Sequence, residues 1–524
     1  MSLKVVLYDT TLRDGAQTEG ISLSVADKLQ ITEKLDELAI PYIEGGWPAS
    51  NPREMEFFHK ALKLKLKNSV ITAFGSTRRA DLAVAKDSQV KSLLDSEATV
   101  VTIFGKSWDL HVREVFRVPL DENLTMIADT VAHLKRHGRI VYYDAEHFFD
   151  GYRHNPDYAL KTLQVAAENG AATVILCDTN GGSLPSEVFE VVSRVKKKIK
   201  VPLGIHCHND MDLAVANSVA AVQAGVTQVQ GTINGYGERC GNANLCSVIP
   251  ILQIKMGYAG VPKDRLKTLT EASHYVAEVC NMRPEDHQPF VGPSAFAHKG
   301  GVHINAVRKN PKTYEQMNPA LIGNRRRLLV SELGGKATIL AYAKSMDLAV
   351  ADDPEEAKRF LQRVQEMEAQ GYHFEVAEAS FELLMKRAYK RFKKFFELEG
   401  FRVTVEKRAD GNVTSEASIK LKVDGVTEHT AANGDGPVHA LDRALRKALL
   451  SFYPRLNTMR LVDFKVRDLQ SQAGTAAHVR VLIQTQDEDS SWWTIGVSVN
   501  IIEASWLALV DSIEYKLLKD RGSR

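Results

Sequence analysis

In the first half of the chain, short segments rich in β-branched residues alternate with amphipathic, helix-like segments. This alternation is the sequence feature that most constrains the fold. The eight runs are residues 4–8, 42–44, 70–74, 100–104, 140–144, 173–177, 203–206 and 227–233. Strand-then-helix units that repeat at intervals of about 25 to 40 residues favour a parallel sheet. Eight such units predict a closed (β/α)8 TIM barrel rather than an open doubly wound sheet, and no GxGxxG glycine pattern follows the first run.

The length of 524 residues predicts further domains beyond this barrel. We expect the barrel to occupy residues 1–280. The strand rhythm then stops, and a loop with several prolines is followed by helical patterns near 334–349, 354–369 and 374–398. These patterns predict a helical connector over residues 281–398.

The tail, residues 399–524, consists of two halves that look alike. The first half has predicted strands near 401–406, 416–423 and 426–431 and a helix through residue 450. The second half has predicted strands near 459–466, 477–484 and 492–499 and a helix near 505–518. A strand–strand–strand–helix unit that occurs twice predicts a small α+β domain of two βββα units.

Composition narrows the class of protein. The chain carries 67 Lys and Arg against 65 Asp and Glu, a net charge of +2, so nothing suggests a nucleic-acid or anionic membrane partner. Its five cysteines are odd in number and show no CxxC spacing, which points to a reducing compartment. We find neither a signal-peptide pattern nor an uncharged apolar run of about 18 residues. We therefore expect a cytoplasmic protein without a membrane partner.

In such a barrel the chemistry lies where the strands end, and there the chain is polar. His206 and His208 are two residues apart at a strand end, so their side chains leave on one face and can bind one ion. Asp14, on a turn after the first strand, is the best candidate carboxylate, although Asp-Gly is also a common turn pair. Two imidazoles and a carboxylate predict a divalent metal site that accepts Mg, Mn or Zn.

Other polar residues at the strand ends allow two interpretations each. Arg13 can stabilise a developing oxyanion, or it can simply pair with Asp14. Glu146 follows strand five and can serve proton transfer, or form a salt bridge at the rim. Thr179 follows strand six and can bind a substrate carboxylate, or cap the next helix. Asn242, in the glycine-containing loop 235–242, can supply an oxygen to the metal.

Three motifs now become specific enough to carry a family resemblance. They are DTTLRDGAQ at residues 9–17, HCHND at 206–210 and GYGERCGN at 235–242. In this order they resemble the motifs of the 2-isopropylmalate, homocitrate and citramalate synthases, and the two-part tail is similar to the regulatory domain of those enzymes. The resemblance implies a Claisen-type condensation of acetyl-CoA with a 2-oxo acid on a divalent metal, followed by thioester hydrolysis.

The resemblance also implies roles for the residues at the strand ends. The metal would be held by Asp14, His206 and His208, with Asn242 as a further ligand. Arg13 would stabilise the enolate or the ketone oxygen, and Thr179 would hold the carboxylate of the 2-oxo acid.

A further motif lies in the predicted connector. Residues 296–306, FAHKGGVHINA, are similar to the family segment that bears a catalytic histidine. By that match His303, helped by Glu146, would remove a proton from the acetyl methyl group, and Tyr314 would lie near the thioester. Isopropylmalate synthases usually show His-Gln-Asp-Gly where this chain has HINA at 303–306.

The prediction of the 2-oxo acid rests on the amino-acid sequences of two other segments. Residues 145–152, AEHFFDGY, and 44–48, EGGWP, are most similar to the citramalate synthases of this family, whose 2-oxo acid is pyruvate. Trp47 stands where relatives tend to have Phe, and a bulkier wall is compatible with a small substrate, although ordinary packing also explains it.

Regulation is implied in the same way. The resemblance implies isoleucine as a feedback inhibitor bound by the tail, and a homodimer. The Gly-Asp-Gly stretch at 434–436, before a predicted helix, offers free amides to an amino acid carboxylate. The alternative is a tail that only dimerises.

Three alternatives stay open at this point. A 2-isopropylmalate or homocitrate synthase would keep the mechanism and use 2-oxoisovalerate or 2-oxoglutarate; the latter needs a basic group, for which Lys106 and Arg78 are candidates. A retro-aldol lyase of the same superfamily would generally lack the histidine segment and the repeated tail. An amino acid sensor with an inactive barrel would not need the ligands and bases that are all present here.

Overall fold

The computed structural model describes residues 4–328, 354–389, 392–469 and 478–522. The chain divides into two compact units, one made of Met1–Phe296 with Met317–Arg327 and the other of Ala297–Gln316 with Leu328–Arg524. The helix predicted near 334–349 lies outside the described residues, and the three-part domain division stays a prediction.

The first unit is built on a closed barrel of eight parallel strands, which confirms the predicted fold. In chain order the strands are β1 (Val6–Asp9), β2 (Tyr42–Gly46), β3 (Val70–Ser76), β4 (Val100–Lys106), β5 (Ile140–Glu146), β6 (Thr173–Asp178), β7 (Leu203–Cys207) and β8 (Gln228–Gly231). The barrel closes where β1 pairs with β8, with Val6 opposite Gln228 and Asp9 opposite Gly231. Strand order equals sequence order, as the repeating units predicted.

Helices join the strands and cover the barrel. They are α1 (Val25–Glu37), α2 (Pro52–Ala61), α3 (Ser88–Asp95), α4 (Asp109–His111), α5 (Leu120–Arg136), α6 (Phe148–His154), α7 (Pro156–Glu168), α8 (Pro185–Lys198), α9 (Ala214–Ala224), α10 (Leu245–Pro250), α11 (Lys263–Leu266) and α12 (Leu269–Val279). Local sequence sets several of their starts. Ser24 and Asp27 form a capping box at α1, while Asn51 and Asn155 cap α2 and α7, each just before a proline.

The barrel interior is a packed core. The Tyr8 hydroxyl lies 2.6 Å from Glu44 Oε2, 2.7 Å from Thr72 Oγ1 and 2.6 Å from Thr102 Oγ1, and all four residues are fully buried. Tyr142 packs beside Tyr8, with ring centroids 6.2 Å apart. Because this layer fills the barrel, the space for chemistry is at the carboxyl ends of the strands.

The second unit contains the repeated tail. The elements before the repeats are β9 (Ala297–His298), α13 (Gly301–Lys309), α14 (Pro354–Ala369) and α15 (Glu378–Ala388), and β10 (Arg327–Leu328) lies at the boundary of the unit. The first repeat is β11 (Glu397–Lys407), β12 (Val413–Val423), β13 (Val426–Gly434) and α16 (Pro437–Leu449). The second is β14 (Arg460–Asp468), β15 (Val479–Gln486), β16 (Ser491–Ser498) and α17 (Ile501–Gly522). Both sheets are antiparallel, which confirms the two βββα units.

One predicted helix is shorter than the sequence indicated. The helical pattern near 374–398 becomes α15, which ends at Ala388, and β11 already begins at Glu397. Glu397 pairs with Lys422 of β12, so pairing with a neighbouring strand extends β11 back into the region predicted to be helical. None of the helices in the described part of the chain has the length and apolar character needed to span a bilayer.

Candidate active site and metal centre

Three predicted metal ligands meet at the carboxyl end of the barrel. Asp14 lies on the turn after β1, His206 is in β7 and His208 follows that strand; they are 2%, 4% and 6% exposed. His206 Nε2 lies 3.2 Å from Asp14 Oδ2 and 3.3 Å from His208 Nε2. One ligand atom from each residue lies within 4.8 Å of the other two, so a single cation can contact all three.

The charges of these residues suit a divalent cation. Burial, together with the neighbouring His206, lowers the pKa of His208 to about 3, so its imidazole is neutral and able to coordinate. Burial favours the protonated form of Asp14, but Arg13 and His206 outweigh it and hold the pKa of this carboxyl well below its usual range. One carboxylate and two imidazoles form a donor set that Mg, Mn or Zn accepts.

Asn242 adds an oxygen beside this group. Its backbone forms an isolated antiparallel bridge with His208, and its Nδ2 donates to the carbonyl of Tyr236 at 3.2 Å. The side-chain oxygen Oδ1 is buried and finds no hydrogen-bond partner among the described residues. A buried amide oxygen without a partner is unfavourable, and coordination to a cation would satisfy it. The residues present therefore fit a metal ion.

A hydrogen-bond chain behind His206 sets the orientation of its ring. Gln230 Oε1 lies 2.9 Å from His206 Nδ1, and Gln230 Nε2 donates to Asp144 Oδ1 at 3.1 Å. With Gln230 as acceptor, Nδ1 carries the proton and Nε2 is left to face Asp14. Burial and the nearby Glu44 raise the pKa of Asp144 to about 7. Neither Asp144 nor Gln230 was predicted. Asp144 carries a signal, because it is a charged residue in a largely apolar strand, whereas Gln230 lies in a strand that also contains Gln228 and gives none.

Arg13 is held next to the three ligands by two carboxylates. Its Nε donates to Glu44 Oε1 at 2.6 Å, and its Nη1 lies 3.1 Å from Asp14 Oδ1. The guanidinium also stacks on Phe74, with its carbon 3.8 Å from the ring centroid. The predicted pairing of Arg13 with Asp14 is thus present. The same contacts fix the guanidinium in one orientation, in which it can bind a negatively charged group. The role of Glu44, which the tyrosine hydroxyl of the core also contacts, was not predicted.

Phe74, on which Arg13 stacks, packs against two further aromatic side chains, and the three together are named the aromatic wall. Trp47 meets Phe74 and Phe104 edge-on, with ring centroids 6.0 and 5.6 Å apart, and the two phenylalanines stack at 5.4 Å. Phe74 and Phe104 each follow by two residues an inward-facing threonine, so strand alternation turns them inward as well. Trp47 Nε1 donates to Gln89 Oε1 at 2.8 Å, which fixes the indole.

Glu146 and Thr179 also lie at strand ends. Glu146 is the last residue of β5 and forms an ion pair with Lys106, the last residue of β4. Thr179 Oγ1 accepts the backbone N–H of His147 at 2.8 Å. Helix α8 begins at Pro185 after Leu184, so the interpretation of Thr179 as its cap is wrong.

The remaining two predicted residues belong to the second unit. His303 lies on α13, and Tyr314 follows the 3-10 turn Pro311–Thr313. Their rings stack with centroids 4.2 Å apart and planes inclined by 30°. Both side chains are exposed within the described residues. His303 and Tyr314 are therefore in contact within the second unit, while their roles stay predictions.

Three known protein families match successive parts of the chain. Residues 4–276 match the HMGL-like family, residues 290–372 the homocitrate synthase post-HMGL domain-like family, and residues 375–517 the LeuA allosteric (dimerisation) domain.

Relatives match over the full length. The chain is 54% identical over 522 residues to the (R)-citramalate synthase of Aquifex aeolicus (strain VF5), covering 99% of each chain. It is 55% identical over 520 residues to the (R)-citramalate synthase of Geobacter sulfurreducens, covering 99% of this chain and 98% of the relative. A 2-isopropylmalate synthase of Methanocaldococcus jannaschii is 32% identical, with 98% of this chain and 95% of that one covered. The barrel and the ligand cluster agree with these relatives. The chain therefore belongs to the (R)-citramalate synthase family and is a condensing acyltransferase.

Proposed function

We propose that the protein condenses acetyl-CoA with pyruvate and hydrolyses the thioester, releasing (R)-citramalate and CoA, with a divalent metal in the barrel. The observation that carries this proposal is the convergence of Asp14, His206 and His208 in a chain that matches two enzymes named (R)-citramalate synthase from end to end. One water is consumed, so the products are one hydroxy diacid and one free thiol.

The metal would be held by Asp14, His206, His208 and the side-chain oxygen of Asn242. When bound, such an ion polarises the ketone oxygen of the 2-oxo acid. Arg13 supplies a fixed positive charge beside the developing oxyanion, because Glu44 and Asp14 prevent the guanidinium from turning away.

The remaining roles concern the two substrates. Thr179 would donate its hydroxyl to the carboxylate of the 2-oxo acid. His303, assisted by Glu146, would take the proton from the acetyl methyl group while the new carbon–carbon bond forms, and Tyr314 would lie near the thioester. The role of His303 rests on the resemblance of segment 296–306 to the histidine-bearing segment of the family, and its stacking on Tyr314 is compatible with that role.

Pyruvate is preferred to 2-oxoglutarate in this proposal because the two basic residues considered for binding a distal carboxylate, Arg78 and Lys106, are both paired with carboxylates. Arg78 donates to Asp129 at 2.8 Å and to Glu122 at 3.0 Å. Lys106 is paired with Glu146. The rings of the aromatic wall are apolar, and Lys106, whose Nζ lies 5.5 Å from the Phe104 centroid, is engaged by Glu146, so this surface suits a methyl group better than a second carboxylate.

Substituting Phe104 by alanine should widen the range of 2-oxo acids. Each methylene that a tight apolar pocket excludes is worth roughly 10 to 200-fold in kcat/KM. We therefore expect the kcat/KM ratio of 2-oxobutyrate to pyruvate to rise by at least about tenfold. Phe189, an exposed phenylalanine on α8, provides the matched control, since Phe189→Ala should leave the ratio unchanged. An unaltered ratio in Phe104→Ala would exclude the aromatic wall as a boundary of the substrate site.

The reaction itself is tested by release of free thiol from acetyl-CoA. EDTA-treated and Mn-restored protein is assayed with pyruvate, 2-oxobutyrate, 2-oxoisovalerate and 2-oxoglutarate, and the product is identified by chiral chromatography. Preference for pyruvate that depends on the metal supports the proposal. Preference for 2-oxoisovalerate or 2-oxoglutarate would reassign the enzyme to 2-isopropylmalate or homocitrate formation, and thiol release from none of them would contradict condensation.

Metal binding should depend on pH through His206. Burial lowers the pKa of His206, but the hydrogen bond with Asp14 and its charge outweigh burial and raise it above its ordinary value. Below that pKa the metal must displace a proton, so affinity should fall as the pH falls, by up to about tenfold per pH unit, and level off above it. Calorimetry of Mn binding in two buffers with different ionisation enthalpies measures the protons released. Release of none at pH 6 would contradict the assignment of His206.

The tail is proposed to bind isoleucine as a feedback inhibitor and to form a homodimer. A cavity of about 590 Å³ lies between α16 and β14, lined by apolar Val438, Leu461 and Phe464 and by Arg446, which donates to Asp442 at 2.9 Å. Apolar walls beside an Arg–Asp pair offer surface for an aliphatic side chain and opposite charges for the two charged groups of an amino acid. Inhibition of thiol release by isoleucine but not by leucine would support this role and a place in isoleucine biosynthesis; the cytoplasmic location stays a prediction.

A further inference from the structure

Thr179 is hydrogen-bonded to two neighbouring strand-end loops, and Arg239 and Asp178 link it to a third. Its hydroxyl oxygen accepts the N–H of His147, which follows β5. Its carbonyl accepts from Arg239 Nη2 at 2.8 Å, in the loop after β8. Arg239 in turn makes two hydrogen bonds of 2.7 and 2.9 Å to Asp210, in the loop after β7. Asp178, just before Thr179, accepts the backbone N–H of His208 at 3.2 Å.

The backbone of His147 is in a conformation that residues other than glycine rarely adopt. Its φ and ψ are 55° and 34°, in the left-handed region. Such a conformation persists only where the surroundings hold it, and it is often found next to functional groups. Here it directs the N–H of His147 across to the end of β6 rather than along its own chain.

Side-chain contacts hold His147 in this conformation. The side chain is 11% exposed, and its ring lies 4.2 Å from the ring of His111 and 5.8 Å from that of Trp108, centroid to centroid. Its Nδ1 lies 3.4 Å from Asp150 Oδ2, and the same oxygen accepts from Asn180 Nδ2 at 3.0 Å. The loops after β5 and β6 are thus joined at two points.

The hydrogen bond from the His147 N–H determines the direction in which the hydroxyl proton of Thr179 points. A threonine hydroxyl has one proton and two lone pairs. Because the oxygen accepts from the His147 N–H, its own proton points elsewhere and stays available as a donor. A carboxylate only accepts hydrogen bonds, so a hydroxyl arranged in this way is ready to bind one.

We propose that His147 is a positioning residue for the 2-oxo acid: its left-handed backbone orients the Thr179 hydroxyl to donate to the substrate carboxylate. This inference rests on the proposed function, which assigns that carboxylate to Thr179. It makes the conformation of His147, and not its imidazole chemistry, the property that matters. The role is therefore separable from those of Glu146 and the metal ligands.

The test compares substitutions that differ in their tolerance of the left-handed region. His147→Asn tolerates it, His147→Ala tolerates it less, and β-branched His147→Val least. We expect KM for the 2-oxo acid to stay within about twofold of the wild type in His147→Asn and to rise roughly tenfold in His147→Val. A rise of that size corresponds to the loss of a hydrogen bond to a charged group. His147→Ala should lie between the two. The decrease in kcat should be smaller, and KM for acetyl-CoA should not change.

A double-mutant cycle with Thr179→Val completes the test. Without the hydroxyl, His147→Val should add nothing to KM. An equal rise in His147→Asn and His147→Val, or a full effect of His147→Val in the Thr179→Val background, would overturn the proposal. Bound Mn and the melting temperature report on folding, and His147→Ala replaces His147→Val if the latter unfolds. KM is measured on whichever 2-oxo acid the wild type uses, so loss of the pyruvate preference alone leaves this inference standing, whereas turnover of no 2-oxo acid overturns both.

Discussion

Substituting His208 by alanine is expected to abolish tight binding of Mn and to lower kcat by at least about a thousandfold. The imidazole is buried 3.3 Å from His206 Nε2, and its pKa of about 3 makes it a neutral ligand at every working pH. Without this imidazole the metal loses one of its ligands. Because a bound metal stabilises the developing charge by several kcal/mol, loss of the metal lowers kcat strongly. Metal content by mass spectrometry and thiol release from acetyl-CoA measure the two effects.

A histidine outside the barrel mouth provides the control for this experiment. His59 lies exposed on α2, so His59→Ala should keep full metal content and full turnover. If His208→Ala still bound one Mn per chain with wild-type affinity, the ligand cluster would be wrongly assigned. Retention of turnover without any metal would exclude a role for the metal in the reaction.

Arg13→Lys is expected to lower kcat by about a hundredfold to a thousandfold while the metal stays bound. Lysine keeps the positive charge but has no planar fork, so it cannot contact Glu44 and Asp14 together as Arg13 does at 2.6 and 3.1 Å. Removing one well-placed donor from an oxyanion usually has an effect of that size. The substitution also leaves one oxygen of the fully buried Glu44 without its cation.

Steady-state kinetics and metal content together separate the possible outcomes for Arg13. A fall in kcat with unchanged metal content supports charge stabilisation by the guanidinium. Arg194→Lys, in an exposed pair with Glu190 on α8, is the matched control and should behave as the wild type. Near wild-type kcat in Arg13→Lys would show that Arg13 only pairs with Asp14.

The eight strand runs and the polar residues after them were predictable because they follow local rules. Inward and outward residues alternate along a strand, and parallel strands end on one side of a barrel. Asp14, His206 and His208 are therefore brought together by topology alone, although 192 positions separate Asp14 from His206. The same rules were weaker beyond the barrel, where the pattern near 374–398 suggested a longer helix than α15.

The tertiary structure alone decided which side chains hold the predicted ones in place. Tyr8 contacts Glu44, Thr72 and Thr102 across 36, 64 and 94 positions, and Gln230 reaches Asp144 across 86. Sequence periodicity shows which face a residue lies on, but a hydrogen bond also depends on rotamers and on neighbours across the barrel. For the same reason the left-handed backbone of His147 gave no sequence signal. By itself the sequence determined the barrel, the tail and the candidate ligands, while orientation and charge at the site came from contacts that exist only in the closed barrel.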